Sequence, residues 1–215
     1  MTTDGRAPAH GVETGSEAAT TDGPLQRRVI SDPRTMRALA HPVRLALLEA
    51  LGREGELTAT SAAELLGESP GNMSWHLQTL AKYGYVEEAG GGKGRRRPWR
   101  LASISNRFET ATEDSEADGA GEALESLFAD RAYSRLHEWW VRRAGYPFVW
   151  RNAAFTSDSI AYLTADELST IGDEIAALFA RHRDRVLDKQ LRPADAKPVK
   201  LVAFGHPIPP TPTGN

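Results

Sequence analysis

Residues 57–103 read LTATSAAELLGESPGNMSWHLQTLAKYGYVEEAGGGKGRRRPWRLAS, and the order of signals in them decides the fold. Leu57-Thr58 opens a helix that Thr58 or Ser61 can cap, Ser61-Ala62-Ala63-Glu64 having the capping-box form, and Leu65, Leu66 and Gly67 close it. Ser69-Pro70 is a cap followed by a first helical residue. The next helix runs to about Tyr83, with Met73, Leu77 and Leu80 spaced i, i+4, i+7 as a buried stripe, and Gly84 ends it. Tyr85 to Glu88 has strand character, Ala89 to Gly94 is a glycine-rich turn, and Arg97 to Ser103 returns as a second strand.

Upstream, Asp32-Pro33 starts a short helix to about Leu39, and His41-Pro42 interrupts it. A second helix from Pro42 to about Leu51 carries Val43, Leu47, Leu48 and Leu51 on one face, and Gly52 and Gly55 end it. Helices followed by a hairpin predict a winged helix-turn-helix over residues 28–105.

The flanks differ in composition. Residues 1–27 hold little beyond Thr, Ala, Gly, Glu and Asp and predict a disordered tail. Residues 106–121 end in SEADGAG (115–121) and read as a linker. Residues 122–206 predict a helical, aromatic-rich C-terminal dimerisation or effector domain, and 207–215, with four prolines, an irregular tail. Within 122–206, Leu124, Leu127, Phe128, Leu136, Trp139 and Trp140 form one helical stripe. Thr164-Ala165-Asp166-Glu167 is a capping box for a helix with Leu168, Ile171, Ile175, Leu178, Phe179 and Val186 on its apolar face, and Val199 to Phe204 reads as a strand. The expected class is mainly α (α+β).

Composition excludes several chemistries. The 215 residues contain no cysteine, which removes disulfides, thiolate nucleophiles and Cys-based metal sites. Apolar runs fall far short of the ~18 residues of a membrane helix. Residues 1–26 lack a basic and an apolar region, so no secretory signal and a cytoplasmic location are expected. Residues 27–101 carry twelve basic and eight acidic groups, net +4, between acidic segments of net −3 and −4. A local basic stretch of this kind suits a polyanion.

A family likeness rests on an ordered set of motifs. Asp32-Pro33, Arg37-Ala38-Leu39-Ala40 and His41-Pro42-Val43-Arg44-Leu45 resemble the opening of the ArsR-type bacterial repressors. Ala62-Ala63-Glu64-Leu65-Leu66-Gly67, Met73-Ser74-Trp75-His76-Leu77 and Tyr83-Gly84-Tyr85-Val86 continue it, and Gly94-Arg95-Arg96-Arg97-Pro98-Trp99-Arg100-Leu101 matches its wing. The likeness covers about 75 residues. It implies a transcriptional regulator, by default a repressor, that binds an inverted-repeat operator on double-stranded DNA as a homodimer.

Physical chemistry names candidate contacts. A helix fits the major groove, and its first half reaches the base edges. Off the buried stripe lie Gly71, Asn72, Ser74, Trp75, Gln78 and Lys82, with Ser69 at the cap. Asn72 and Gln78 can each make two hydrogen bonds to adenine, Gly71 permits close approach, and Ser69 and Ser74 can serve phosphates or bases. Trp75 suits thymine methyls, the sugar-phosphate edge or a neighbouring helix, with plain packing as the other reading. His76 suits either the phosphates, as in the family, or a half-buried packing role. Lys93, Arg95, Arg96, Arg97 and Arg100 surround the wing glycines and suit the backbone or a narrow minor groove. Alternation puts Arg95 and Arg97 on one side and Arg96 on the other. Trp99, on the returning strand, is expected to pack into the domain core.

Nine of the sixteen aromatics lie between Phe128 and Tyr162, an arrangement that admits a pocket for an apolar small-molecule effector, with core or interface packing as the alternative. His137-Glu138 and His182 with Asp184 or Asp188 lack metal-site spacing, so no metal and no cofactor are expected. No nucleophile–base arrangement or phosphate-cradling loop appears in 122–206, so no enzyme is expected. The rival to a DNA reader is a winged module that binds a partner protein.

Overall fold

The computed structural model describes residues 28–92, 96–103, 106–108 and 115–209, with side chains of 115–117 excepted. The expected tail 1–27, Lys93 and Arg95 lie outside these residues. The fold is mainly helical with two small sheets: a winged helix-turn-helix followed by a helical region.

Short-range chemistry sets the first helices. Asp32 caps α1 (Pro33–Leu39), its carboxylate accepting from the backbone N–H groups of Arg34 and Thr35. His41 caps α2 (Pro42–Glu54), Nδ1 accepting from Val43 N–H at 3.2 Å. The α2 helix runs past Gly52 and stops at Gly55, whose φ of 83° suits glycine alone. Leu47 and Leu51 are buried as their spacing predicts, Val43 and Leu48 pack partly buried beside them, and Leu45 and Ala50 complete the core face.

Tertiary pairing changes the next segment. Leu57–Thr58 is a strand, β2, rather than a helix start, and α3 spans Ala59–Leu66. The capping box is accordingly Thr58 with Ser61, each side chain accepting from the other's N–H, and not Ser61 with Glu64. After Gly67 in the left-handed region, Ser69 caps α4 (Pro70–Lys82). The wing is β3 (Val86–Glu88) antiparallel to β4 (Pro98–Leu101), and β2 pairs on the far edge of β4, giving the order β2-β4-β3. Val86 faces Leu101, Glu87 faces Arg100, and both Glu88 and Leu57 pair with Trp99. Trp99 packs partly buried against the core.

Two features bind the ends of this unit. Strand β1 (Arg28–Ile30) pairs in parallel with β5 (Asn106–Phe108). Helix α5 (Ser115–Arg142) packs along α1, with Ala120 and Leu124 buried in the same core as Met36, Leu39 and Leu77. The expected linker 106–121 is therefore corrected: it holds β5 and the first turns of α5. Small acidic residues tolerate a helix here because the following turns bury Ala120 and Leu124, and tertiary packing overrides local preference.

Beyond Leu124 no described residue is buried. Helix α6 covers Phe148–Ala153, α7 covers Ala165–Ala180 with the expected Thr164–Glu167 capping box, and α8 covers Asp184–Leu187. The stripe of α7 thus ends before Val186. Residues 199–204, expected as a strand, form neither helix nor strand and have no partner strand.

Candidate nucleic-acid interface

Helices α3 and α4 pack on each other across the turn at 67–69, and the core fixes which face of α4 is free. Met73, His76, Leu77 and Leu80 point inward and are buried. Gly71, Trp75, Gln78 and Lys82 are exposed, Ser69 is exposed at the cap, and Asn72 and Ser74 are half-buried. The free face therefore gathers seven of the candidates on one side of one helix.

The polar groups of this face hold one another loosely. Asn72 Nδ2 donates to the Glu68 carboxylate at 2.9 Å, and Gln78 Nε2 donates to Ser74 Oγ at 3.4 Å. Both bonds are solvent-exposed, so exchanging them for base edges costs little. Trp75 is 56% exposed, its ring beneath the Arg44 guanidinium at 5.9 Å and edge-on to His76 at 4.8 Å. Of its open readings, contact with the neighbouring helix is present through Arg44, and most of the indole still faces outward.

His76 departs from the phosphate-contact expectation. It is 2% exposed because it lies three residues after Met73 on the buried stripe. Its Nδ1 has no hydrogen-bond partner among the described residues, and its ring lies 4.8 Å from that of His41. Burial pushes its pKa below the ordinary 6.5, and His41 and Arg44 push the same way against the opposing Glu68. His41 is lowered by burial and by Arg44.

The wing holds its arginines in pairs. Gly90 and Gly91 take φ of 86° and 80° to leave β3. Arg97 bonds Glu88 at 2.7 Å, and Arg100 bonds Glu87 at 2.7 Å. Arg96 is exposed. The Arg97–Glu88 pair is about half exposed on both sides, which limits it to about 1 kcal/mol or less and lets a phosphate compete for the arginine.

Sequence reasoning missed Arg28. Its guanidinium donates to the carbonyls of Gly84 at 2.8 Å and Tyr83 at 2.9 Å and lies 5.4 Å from the Tyr85 ring. A cation on the carbonyls just past the C-terminus of α4 complements the helix dipole and fixes the exit from that helix. Nothing near Arg28 in sequence signals a partner 56 residues away.

This geometry has a counterpart among known families. Residues 39–88 match the family described as a helix-turn-helix domain. The chain carries a helix-turn-helix domain. The match covers α2 to β3, so α4 is the last of its three helices, and the exposed candidates lie on it. The crystal structure of the YusO protein from Bacillus subtilis aligns with 69% of this chain and 84% of its own at 16% identity and a TM-score of 0.29, too slight a likeness to argue from. No curated protein matches the chain.

Elsewhere the aromatic cluster is not gathered into a pocket. Trp139 and Tyr146 stack edge-on at 5.1 Å, while Tyr133, Trp140, Phe148, Phe155 and Tyr162 are exposed. A shallow cavity of about 540 Å³ lies instead between α2, β4 and α8, against Leu51, Leu101, Val186 and Leu187. Among the described residues no cluster of three or more His, Asp or Glu could hold a metal ion, and no helix is long and apolar enough to cross a membrane.

Proposed function

We propose that the protein is a sequence-specific, DNA-binding transcriptional regulator of the ArsR-like type, acting as a repressor on an inverted-repeat operator. The observation that carries this reading is the free face of α4. Asn72, Ser74, Trp75, Gln78 and Lys82 stand outward on a helix anchored by Met73, Leu77 and Leu80, beside a wing bearing Arg96 and Arg97. Bases are read by α4, and phosphates by the wing and Ser69. Two half-sites require two such heads, so the active species is a homodimer. The protein performs no catalysis of its own in this reading. Control by a small molecule would act through unequal affinity for DNA-competent and incompetent dimers.

The test is selection of the purified chain against fragmented genomic DNA of its source, in excess competitor at moderate salt. Enrichment of a few fragments sharing an inverted repeat is expected. Binding that is weak, salt-sensitive and equal on every fragment would overturn the operator reading.

A further inference from the structure

The cavity between α2, β4 and α8 is built by contacts far apart in sequence. Leu51, buried in the core, and Leu101 of the wing strand line it from one domain, and Val186 and Leu187 supply the α8 wall. One guanidinium holds that wall in place. Arg192 Nε donates to the Arg185 carbonyl at 2.6 Å and Nη2 to the Val186 carbonyl at 3.1 Å. Its Nη1 reaches across to the Arg53 carbonyl on α2 at 3.3 Å. The α8 turn is thereby pinned to the end of α2. The enclosed space of about 540 Å³ falls within the range of small-molecule sites, about 300–1,000 Å³.

Four charged residues line the same cavity, and their partners decide its sign: Glu54, Glu56, Arg100 and Lys189. Arg100 is engaged, bonding Glu87 at 2.7 Å. Lys189 lies across the end of α2, its Cε 3.3 Å and its Nζ 4.0 Å from where a Cβ on Gly55 would stand. An ammonium there complements the carbonyl end of the α2 dipole, and a glycine at φ 83° is what admits it. The exposed side chains of Glu54 and Glu56 make no ion pair or hydrogen bond among the described residues. An apolar cavity therefore opens beside two uncompensated carboxylates.

We propose that this cavity binds a small organic amine with an apolar body. The ammonium is held by Glu54 and Glu56, and the hydrocarbon part lies against Leu51, Leu101, Val186 and Leu187. Apolar walls supply most of the contact area, as in small-molecule sites generally, and a few charged groups fix the orientation. Low-dielectric walls also concentrate the field of carboxylates at a cleft, which draws in cations and turns away anions. The inference stands apart from the DNA-reading function proposed above. Because Arg100 and Leu101 belong to β4, an occupant would touch the wing directly.

The test uses the full chain without DNA and three probes that share one apolar body: 4-phenylbutylamine, 4-phenylbutanol and 4-phenylbutyrate. Ligands of this size reach about millimolar affinity, so calorimetric titrations run to about 10 mM, with amide exchange to locate the site. The expected order is amine, alcohol, carboxylate, with the amine at least about tenfold tighter than the carboxylate. The amine should slow exchange in β4 and α8. Glu54→Gln with Glu56→Gln changes two exposed side chains and is expected to bring the amine down to the alcohol, with the alcohol unchanged. Arg192→Ala, which unpins α8, should weaken all three probes alike. A carboxylate that binds as tightly as the amine overturns the proposal, as does an amine that does not bind by about 10 mM. So does protection confined to other elements, or an amine affinity untouched in the double glutamine variant. Failure here leaves the operator reading standing, and amine binding by a chain that selects no DNA fragment would count against that reading alone.

Discussion

Arg28 closes the end of α4 from 56 residues away, its Nη1 donating to the Gly84 carbonyl at 2.8 Å and its Nη2 to the Tyr83 carbonyl at 2.9 Å. One guanidinium thus ties strand β1 to the turn between α4 and β3. Charged hydrogen bonds of this sort are worth about 1.5–3 kcal/mol when shielded, and partial burial places this one toward the lower end. Arg28→Ala is expected to lower the urea midpoint by a stability loss of about 1–2 kcal/mol and to speed amide exchange at the end of α4. Lysine at this position should recover only part, since it lacks the fork that spans two carbonyls.

Glu49 on α2 gathers Arg131 at 2.6 Å and Arg135 at 3.0 Å from α5, with Lys200 at 3.3 Å. Burial raises the Glu49 carboxyl, but the hydrogen bonds from Arg131 and Arg135 together with Lys200 outweigh it and hold its pKa at about 2. A depressed carboxylate contributes stability that is complete above its ordinary 4.5 and is lost as pH falls from 4.5 toward 2. Glu49→Gln should therefore cost about 2 kcal/mol at neutral pH, between the values for exposed and buried pairs, and flatten the acid limb of the stability curve. Urea titrations at a series of pH values read both effects.

The helix starts were legible because each carries its own local chemistry. Asp32-Pro33, His41-Pro42 and Ser69-Pro70 satisfy orphan N–H groups within three residues, and all three helices begin there. The stripe Met73, Leu77, Leu80 and the glycine-rich wing were equally local. What escaped depended on distant partners. Leu57–Thr58 becomes a strand only because β4 lies beside it, and β1 exists only through β5. Ser115 to Gly121 reads as a linker until α1 offers a face for Ala120 and Leu124. The candidate face of α4 was legible except for His76, where an imidazole at a stripe position is equally at home inside or at a phosphate. The pairing of Arg97 with Glu88 is not legible in the sequence, since charge counts along the wing do not show which acids stand across the strand.

The buried His76 couples α4 to acidity. Its pKa is depressed by burial, by His41 and by Arg44, so the unfolded chain binds the proton more readily than the folded one. Stability is then complete above the ordinary 6.5 and is lost as pH falls through 6.5 toward the lowered folded value. The facing charged and titratable groups are His41 and Arg44, which add to the effect, and Glu68, which opposes it. The expected result is a falling urea midpoint below pH 6.5 in the wild type and a flatter one in His76→Leu. An unchanged slope in that variant would assign the acid sensitivity to His41 alone.

Glu88 holds Arg97 at 2.7 Å, so in the proposed function the wing would enter DNA by exchanging a carboxylate for a phosphate. Removing the carboxylate should therefore raise affinity for DNA of any sequence. Glu88→Gln is expected to tighten non-specific binding and steepen the salt dependence by up to about one unit, and Arg97→Ala to weaken binding on all sequences and flatten it by about one. Asn72→Ala and Gln78→Ala should instead relax preference at individual bases, by about 1–3 kcal/mol each, with the salt slope unchanged. The pair in combination separates release of Arg97 from a general change in field. If Glu88→Gln gains as much in an Arg97→Ala background as in the wild type, the carboxylate acts through the field alone. If the gain is mostly lost, the ion pair is what restrains the wing, and fluorescence titrations at several salt concentrations are enough to tell the two apart.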